Sequence, residues 1–268
     1  MNFQNDLISI CWLGQSGYLI TVTGGIKVLI DPYLSCYLEN ATKGTPYEHV
    51  RLMESPYKVE EIKDIDLILC THDHPDHLDP IAIPKIMNRL DNVKLILPCA
   101  AEETAIKLNL PLKRIVFLNG DKNNHYTYRG LNITALPAKH ESFDYGEKGY
   151  PYLGYILKAN NYSLYHAGDT LLYDKLIDIL SSNSPDILIL PINGRDEERA
   201  RLGFAGNMNY KEAGKLASRL KPKMLIPSHY GMFAINTVDI NKFKKYMKKW
   251  YPEVRFKILK IGEPLRIL

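Results

Sequence analysis

Residues 71–77 read Thr-His-Asp-His-Pro-Asp-His and hold three histidines within six positions, at 72, 74 and 77. The apolar run at 65–70 before this heptad predicts a buried strand, and Leu78-Asp79-Pro80 after it leads toward a helix. The heptad therefore lies on a strand-to-helix loop, where several side chains can converge. Because neutral imidazoles and carboxylates are ligands that borderline divalent cations prefer, the heptad predicts a metal site.

The composition is that of a globular chain. Its 268 residues are 46% hydrophobic and 24% charged. The sequence has no apolar run near the roughly 20 residues that span a bilayer, and no basic segment followed by an apolar one at its start. We therefore expect a cytoplasmic protein with no membrane partner.

The cysteines at 11, 70 and 99 lie in apolar runs and are interpreted as reduced thiols, although Cys70 could also supply sulfur to a metal.

The net charge of +4 is modest, and no block of five like charges occurs. The basic residues of the stretch 242–249 are interpreted as the solvent-exposed face of an amphipathic helix. The apolar face of this helix would consist of Phe243, Tyr246, Met247 and Trp250, which turn inward at helical spacing. This interpretation is favoured over nucleic-acid contact, so no nucleic-acid partner is expected.

Strands dominate the start of each half of the chain, and strand–helix alternation closes each half. Predicted strands cover residues 8–14, 17–22, 27–31, 65–70, 93–98, 114–118, 124–128, 131–136, 152–156, 162–165, 186–191, 223–226, 255–259 and 265–268. Predicted helices cover 80–90, 101–108, 171–180, 210–220 and 238–250. This order predicts one domain over 1–268, with two packed sheets and helices outside, although other layered α/β folds fit the pattern. Residues 35–60 lack periodicity and form a long insertion of the kind that is often functional.

Three histidines outside the heptad come just after apolar runs, where a sheet presents its loops. They are His140, His166 and His229. His125 is interpreted as structural or exposed, and His49, within the insertion, is a weak candidate for substrate contact.

The heptad fits the HxHxDH motif of the metallo-β-lactamase superfamily, and the chain resembles that superfamily from Asp31 to His229. Further signatures follow in order, namely Asp31 after an early strand, the lone His140, Gly168-Asp169-Thr170 and Ser228-His229. The resemblance implies an α/β fold, the four-layer αββα sandwich of two mixed sheets flanked by helices.

The resemblance also implies a centre with two divalent metal ions, either Zn²⁺ or Mn²⁺. The implied ligands are His72, His74 and His140 for the first ion, Asp76, His77 and His229 for the second, and Asp169 as the bridge. Asp31 would orient a ligand without binding metal. Asp76 or Asp73 would relay a proton. His166 could orient a ligand, shuttle a proton to a leaving alkoxide or simply be packed.

Shorter pieces at 12–17, 191–195 and 206–209 resemble the L-ascorbate-6-phosphate lactonase branch of the superfamily. This resemblance implies a lactonase in which a water bridging the metals, ionised near neutral pH, attacks the carbonyl of a phosphorylated sugar lactone. The phosphate would need a cation. Candidate substrate contacts are Arg195, which ranks first, then Lys139, Asn193 and Tyr230. The alternative for Arg195 is a surface charge paired with neighbouring acids.

Two other functions remain open. One is a phosphodiesterase that uses the same hydroxide on phosphorus, and the other is a non-catalytic metal-binding protein. The expected partner is a small molecule, anionic or phosphorylated, and a homo-oligomer remains possible.

Overall fold

The computed structural model describes residues 8–267, which form two β-sheets packed face to face. The strands are β1 Ile8–Gly14, β2 Gly17–Val22, β3 Ile26–Ile30, β4 Leu67–Leu69, β5 Lys94–Pro98, β6 Ile115–Leu118, β7 His125–Tyr128, β8 Leu131–Pro137, β9 Leu153–Ala159, β10 Tyr162–His166, β11 Ile187–Pro191, β12 Met224–Ser228 and β13 Pro264–Ile267. The helices are α1 Tyr37–Ala41, α2 Ala82–Arg89, α3 Glu102–Lys107, α4 Asp174–Asn183, α5 Glu197–Arg201, α6 Tyr210–Leu220 and α7 Ile240–Trp250.

Both sheets are mixed. The first has the order β13-β1-β2-β3-β4-β5-β6, antiparallel up to β3 and parallel from β3 to β6. The second has the order β12-β11-β10-β9-β8-β7, parallel from β12 to β10 and antiparallel beyond. Alternating apolar residues of both sheets meet in one central core.

Helices cover both outer faces. Ile83, Ile86 and Met87 of α2 pack with Ile68 in a core on the outer face of the first sheet. Helices α4, α6 and α7 bury their apolar stripes beside the second sheet, as Met247 of α7 does. The predicted four-layer αββα sandwich is confirmed. None of the helices between residues 8 and 267 has the length and apolarity that crossing a bilayer requires.

Two local predictions were wrong. The stretch 255–259 forms only a single bridge, between Phe256 and Leu225, and is not a strand. Trp250, at the end of α7, is 58% exposed, because only Phe243 and Met247 of that helix reach the core fully. The short helices α1 and α5 were not predicted, since five residues are too few to show helical periodicity.

The insertion at 35–60 is largely irregular but is firmly attached. Its only α-helix is α1, within the part of the chain that the structure describes. Leu52 N donates to Met232 O at 2.7 Å, and Ala234 N donates to Val50 O at 2.9 Å. Arg51, between these two bonds, forms a salt bridge with Glu39. The insertion is therefore joined to the loop that follows β12.

The strands that precede the expected ligands end at a common edge. β3 and β4 are parallel, and so are β10, β11 and β12. β8 and β10 are both antiparallel to β9, so their carboxyl ends also point the same way. The loops after β3, β4, β8, β10 and β12 therefore gather at one end of the sandwich.

Candidate metal centre

The loop between β4 and α2 is fixed by the buried carboxylate of Asp79. Asp79 Oδ1 accepts hydrogen bonds from the backbone N–H groups of Ile81 and Ala82, at 2.9 and 2.8 Å, at the start of α2. Its Oδ2 accepts from Leu34 N and Ser35 N, at 3.0 and 2.8 Å, at the start of the insertion. One side chain thus holds the heptad loop, the helix start and the insertion together.

Three histidines form a first group of potential ligands. One ligand atom from each of His72, His74 and His140 lies within 4.8 Å of the others. The ring of Tyr152 packs against all three, with centroids 5.1 to 5.8 Å apart. This group matches the set that was predicted for the first metal.

A second group consists of Asp76, His77 and His229, again with ligand atoms within 4.8 Å of one another. Asp169 lies between the two groups. Its Oδ1 is 3.4 Å from His77 Nε2, and its Oδ2 is 3.1 Å from His229 Nε2 and 3.8 Å from His140 Nε2. A carboxylate in this position could contact a cation held by either group.

Hydrogen bonds set the tautomers of three of these imidazoles. The Thr71 hydroxyl donates its only hydrogen to Asp31, so His72 Nδ1, 3.0 Å away, must donate to Thr71 Oγ1. His77 Nδ1 donates to Asp31 Oδ2 at 2.8 Å, and His140 Nδ1 donates to the Gly206 carbonyl at 3.2 Å. In the neutral form of each ring, Nε2 therefore keeps its lone pair.

The unpaired atoms of the cluster fit a metal. His72 Nε2, His77 Nε2 and Asp169 Oδ1 are buried and have no hydrogen-bond partner within residues 8–267. Buried polar atoms without partners are costly unless a ligand satisfies them. Nitrogen and carboxylate oxygen donors suit zinc or manganese. These residues could hold divalent cations.

The pKa shifts differ among the histidines of the cluster. Burial lowers the pKa of His72 well below its ordinary range and also lowers that of His140, so both rings stay neutral and able to bind a cation. Burial likewise disfavours charge on His77, yet Asp169, Asp31 and Asp76 together raise its pKa well above the ordinary range. The carboxylates therefore favour positive charge at His77.

Burial would raise the pKa of Asp169, but His229 and His77 outweigh it and hold that pKa well below the ordinary range.

Gly168 lets Asp169 approach the first sheet. Its φ is +58°, and a Cβ on this residue would stand 2.7 Å from the Cβ of Thr71, so no other residue fits here.

The profile described as the beta-lactamase superfamily domain matches residues 9–229. The chain belongs to the beta-lactamase superfamily. A UPF0173 metal-dependent hydrolase from Archaeoglobus fulgidus is 32% identical over 265 residues, covering 96% of this chain and 97% of that protein. Another from Hyperthermus butylicus is 30% identical over 254 residues, covering 94% and 96%. The chain is thus a member of the UPF0173 family of metal-dependent hydrolases within the superfamily.

A solved structure shows the same fold. Igni18, a metallo hydrolase from Ignicoccus hospitalis, superposes with a TM-score of 0.71 at 24% identity and covers 98% of this chain and 99% of its own. These similarities show that the chain belongs to the superfamily and to the UPF0173 family. They give no evidence for the L-ascorbate-6-phosphate lactonase branch specifically.

Two predicted proton-transfer residues of this UPF0173 member lie outside the cluster. Asp73 is exposed, and its Oδ2 accepts a hydrogen bond from Thr104 Oγ1 at 2.7 Å. His166 is 1% exposed, with Nε2 donating to Ser16 O at 2.9 Å and Nδ1 accepting from Gly168 N at 3.2 Å. Backbone groups occupy both ring nitrogens, so His166 holds the Gly168 loop and cannot reach a leaving group.

The predicted phosphate contact of the UPF0173 chain is already paired. Arg195 donates from Nη1 and Nη2 to the two carboxylate oxygens of Glu212, at 2.8 and 2.9 Å, and from Nη1 to Asn207 O at 3.1 Å. The hydrogen bond to Glu212 raises the pKa of Arg195. Arg195 is thus a paired charge, but its partner is Glu212 on α6 and none of the neighbouring acids at 196–198.

The other predicted substrate contacts also lie elsewhere. Tyr230 is buried and stacks on Trp12, with centroids 4.9 Å apart. Lys139 is exposed and outside the cavity lining. Asn193 is buried, and its Oδ1 accepts from Asn207 Nδ2 at 3.3 Å. Asn193 therefore supports Asn207.

Two polar residues of the UPF0173 site were not assigned from the sequence. Asn207 Nδ2 donates to Asp169 Oδ2 at 2.8 Å, and Gln15 Nε2 donates to Asp76 Oδ2 at 3.0 Å. Both stand in the short pieces at 12–17 and 206–209 that suggested the lactonase branch. Those pieces are the signal that could have identified them as residues that orient the two carboxylates.

The cluster opens into a cavity of about 200 Å³. Its lining residues are Leu38, His49, His74, Pro75, Asp76, His140, Glu141, Asp169, Gly203, Phe204, Ala205, His229 and Asn236. The insertion supplies Leu38 and His49, so it forms one wall of the site. No lysine or arginine between residues 8 and 267 contributes to this lining.

Proposed function

We propose that this UPF0173 hydrolase opens small lactones, with two divalent cations, zinc or manganese, held by the two histidine groups and bridged by Asp169. The observation that carries the proposal is the convergence of unpaired, buried ligand atoms on one small cavity. When bound, such cations lower the pKa of water and polarise a carbonyl oxygen.

Residues of the chain would accept the proton of the water and orient the metal ligands. Asp76 lines the cavity, and Gln15 holds its Oδ2, so this carboxylate is placed to orient a water and to accept its proton. Asn207 fixes Asp169, and Asp31 fixes His77, so that both ligands are preorganised.

A neutral lactone fits this cavity better than a phosphorylated one. A phosphate distant from the reacting carbonyl needs its own cation, and bidentate guanidinium groups are the usual solution. Arg195 is committed to Glu212, and the lining lacks lysine and arginine within the described residues 8–267. We therefore propose that the substrate is small and uncharged at the end remote from the metals.

The test is a substrate panel on protein loaded with zinc or manganese, with the metal content measured alongside. The panel contains γ-butyrolactone, a phosphorylated sugar lactone and bis-p-nitrophenyl phosphate, and His74→Ala is the inactive control. We expect metal-dependent acid release from the neutral lactone, and none with His74→Ala.

Three results would contradict the proposal. Turnover of bis-p-nitrophenyl phosphate without lactone turnover would favour a phosphodiesterase. Full metal content without any turnover would favour a non-catalytic metal-binding protein. Strong preference for the phosphorylated lactone would overturn the neutral substrate class.

A further inference from the structure

The wall opposite the heptad loop contains an imidazole that the proposed mechanism does not use. His49, in the insertion, lines the cavity, and its ring packs between Phe204 and Phe233, with centroids 5.5 and 4.9 Å away. This aromatic packing fixes the plane of the ring.

The tautomer of His49 follows from the hydrogen bonds of Thr42. The Thr42 hydroxyl donates its only hydrogen to Leu38 O at 2.7 Å and accepts from His49 N at 2.9 Å. His49 Nδ1 lies 3.3 Å from the same oxygen, so Nδ1 must be the donor. Neutral His49 therefore carries its proton on Nδ1, and its Nε2 is a hydrogen-bond acceptor without a partner among residues 8–267.

A second polar side chain of the lining is oriented in the same manner. Asn236 Oδ1 accepts hydrogen bonds from Asn193 Nδ2 at 2.8 Å and from Arg199 Nη1 at 2.9 Å. Two donors at the oxygen fix the amide orientation, and Nδ2 has no partner among residues 8–267. Apart from the carboxylates and the ligand group, the lining thus offers an acceptor on His49 and a donor on Asn236, with no lysine or arginine among the described residues.

We propose that the cavity selects uncharged substrates that carry a hydroxyl group, which donates to His49 Nε2 and accepts from Asn236 Nδ2. A hydroxyl is the smallest neutral group that can do both. This specificity site rests on the proposed lactonase function for its substrate, but its geometry belongs to the insertion and to the loop after β12.

The kinetic test compares α-hydroxy-γ-butyrolactone with γ-butyrolactone. We expect kcat/KM to favour the hydroxylated lactone by about tenfold, with each of the two neutral hydrogen bonds worth a factor of roughly three. His49→Phe, which keeps the aromatic packing, should lower this ratio to about three, because only the Asn236 contact remains. His125→Phe, on exposed β7, is the matched control and should keep the ratio. An unchanged ratio in His49→Phe would overturn the proposal.

A binding measurement separates this proposal from the lactonase function. In zinc-loaded protein with ¹⁵N-labelled histidine, we expect NMR spectra to show His49 as the Nδ1–H tautomer. The Nε2 resonance should shift on addition of α-hydroxy-γ-butyrolactone and not of γ-butyrolactone. A shift without hydrolysis would support the site and refute the lactonase. Hydrolysis without a shift would support the lactonase and refute the hydroxyl site. An Nε2–H tautomer of His49, or the absence of both the shift and hydrolysis, would also overturn the hydroxyl site.

Discussion

The carboxylate of Asp31 accepts a hydrogen bond from His77 Nδ1 at 2.8 Å, with both side chains fully buried. The same carboxylate accepts from Thr71 N and Thr71 Oγ1, each at 2.8 Å, so its position is fixed on three sides. Asp31 thereby directs His77 Nε2 toward Asp169 and joins the end of β3 to the heptad loop.

We expect Asp31→Asn to weaken metal binding by about 10- to 100-fold, because a neutral amide orients the His77 ring less firmly and no longer raises the basicity of its Nε2. Metal affinity by competition with a chelating dye is the measurement. An affinity equal to that of the unmodified protein would show that Asp31 does not orient His77 for a metal.

Asp169→Asn should lose more than about a hundredfold in hydrolysis together with one or both metals, because the side chain lies near His140 of the first ligand group and His229 of the second. Asp73→Asn is the matched control. That aspartate also adjoins the ligands in sequence, but it bonds to Thr104 and should retain full activity and metal. Equal losses in the two variants would contradict our ligand assignment.

His166→Leu is expected to destabilise the protein by about 1–3 kcal/mol, because buried backbone groups of Ser16 and Gly168 lose their partners. Denaturant unfolding measures this loss. The shape of the pH–rate profile should not change, since the ring does not reach the cavity. Disappearance of one limb of the profile would restore a proton-transfer role for His166.

The Arg195–Glu212 pair should matter to stability and not to substrate charge. Glu212→Gln is expected to cost roughly 0.5–1 kcal/mol at neutral pH, since the pair is partly exposed. Burial raises the pKa of Glu212, but the Arg195 hydrogen bond and its charge outweigh burial and lower it. A lowered folded-state pKa gives stability that is present above the ordinary glutamate range and is lost as the pH falls through the folded value.

Urea titrations at several pH values test this expectation. The difference between the unmodified protein and Glu212→Gln should vanish in acid. Arg195→Ala should change KM for phosphorylated and neutral lactones equally. A selective rise for the phosphorylated compound would return Arg195 to the substrate site.

The pattern of apolar runs was sufficient for a layered α/β fold, whereas the four-layer sandwich and the ligand set were implied by the resemblance to the metallo-β-lactamase superfamily. Apolar runs identified the strands, and parallel strands bring the loops after β4, β10 and β12 to one edge. Histidines placed directly after such strands must therefore lie near one another. The role of Asp31 at the end of β3 was implied by the resemblance, in which an Asp follows an early strand.

Substrate contacts were harder to predict because each depends on a partner that local sequence does not reveal. Glu212 neutralises Arg195 from 17 residues away, and Trp12 covers Tyr230 from the other end of the chain. The cavity wall comes from the insertion, whose lack of periodicity gave no indication of which side chains face inward. The stretch 255–259 has the composition of a strand but makes only one bridge.

The attachment of the insertion through residues 50–52 and 232–234 has an evolutionary consequence. Surface connections accept changes in length and composition at little cost to folding, whereas packed strands do not. The insertion can therefore change in length and composition, and with it the cavity wall that Leu38 and His49 form, while the strands that carry the histidine groups keep their places.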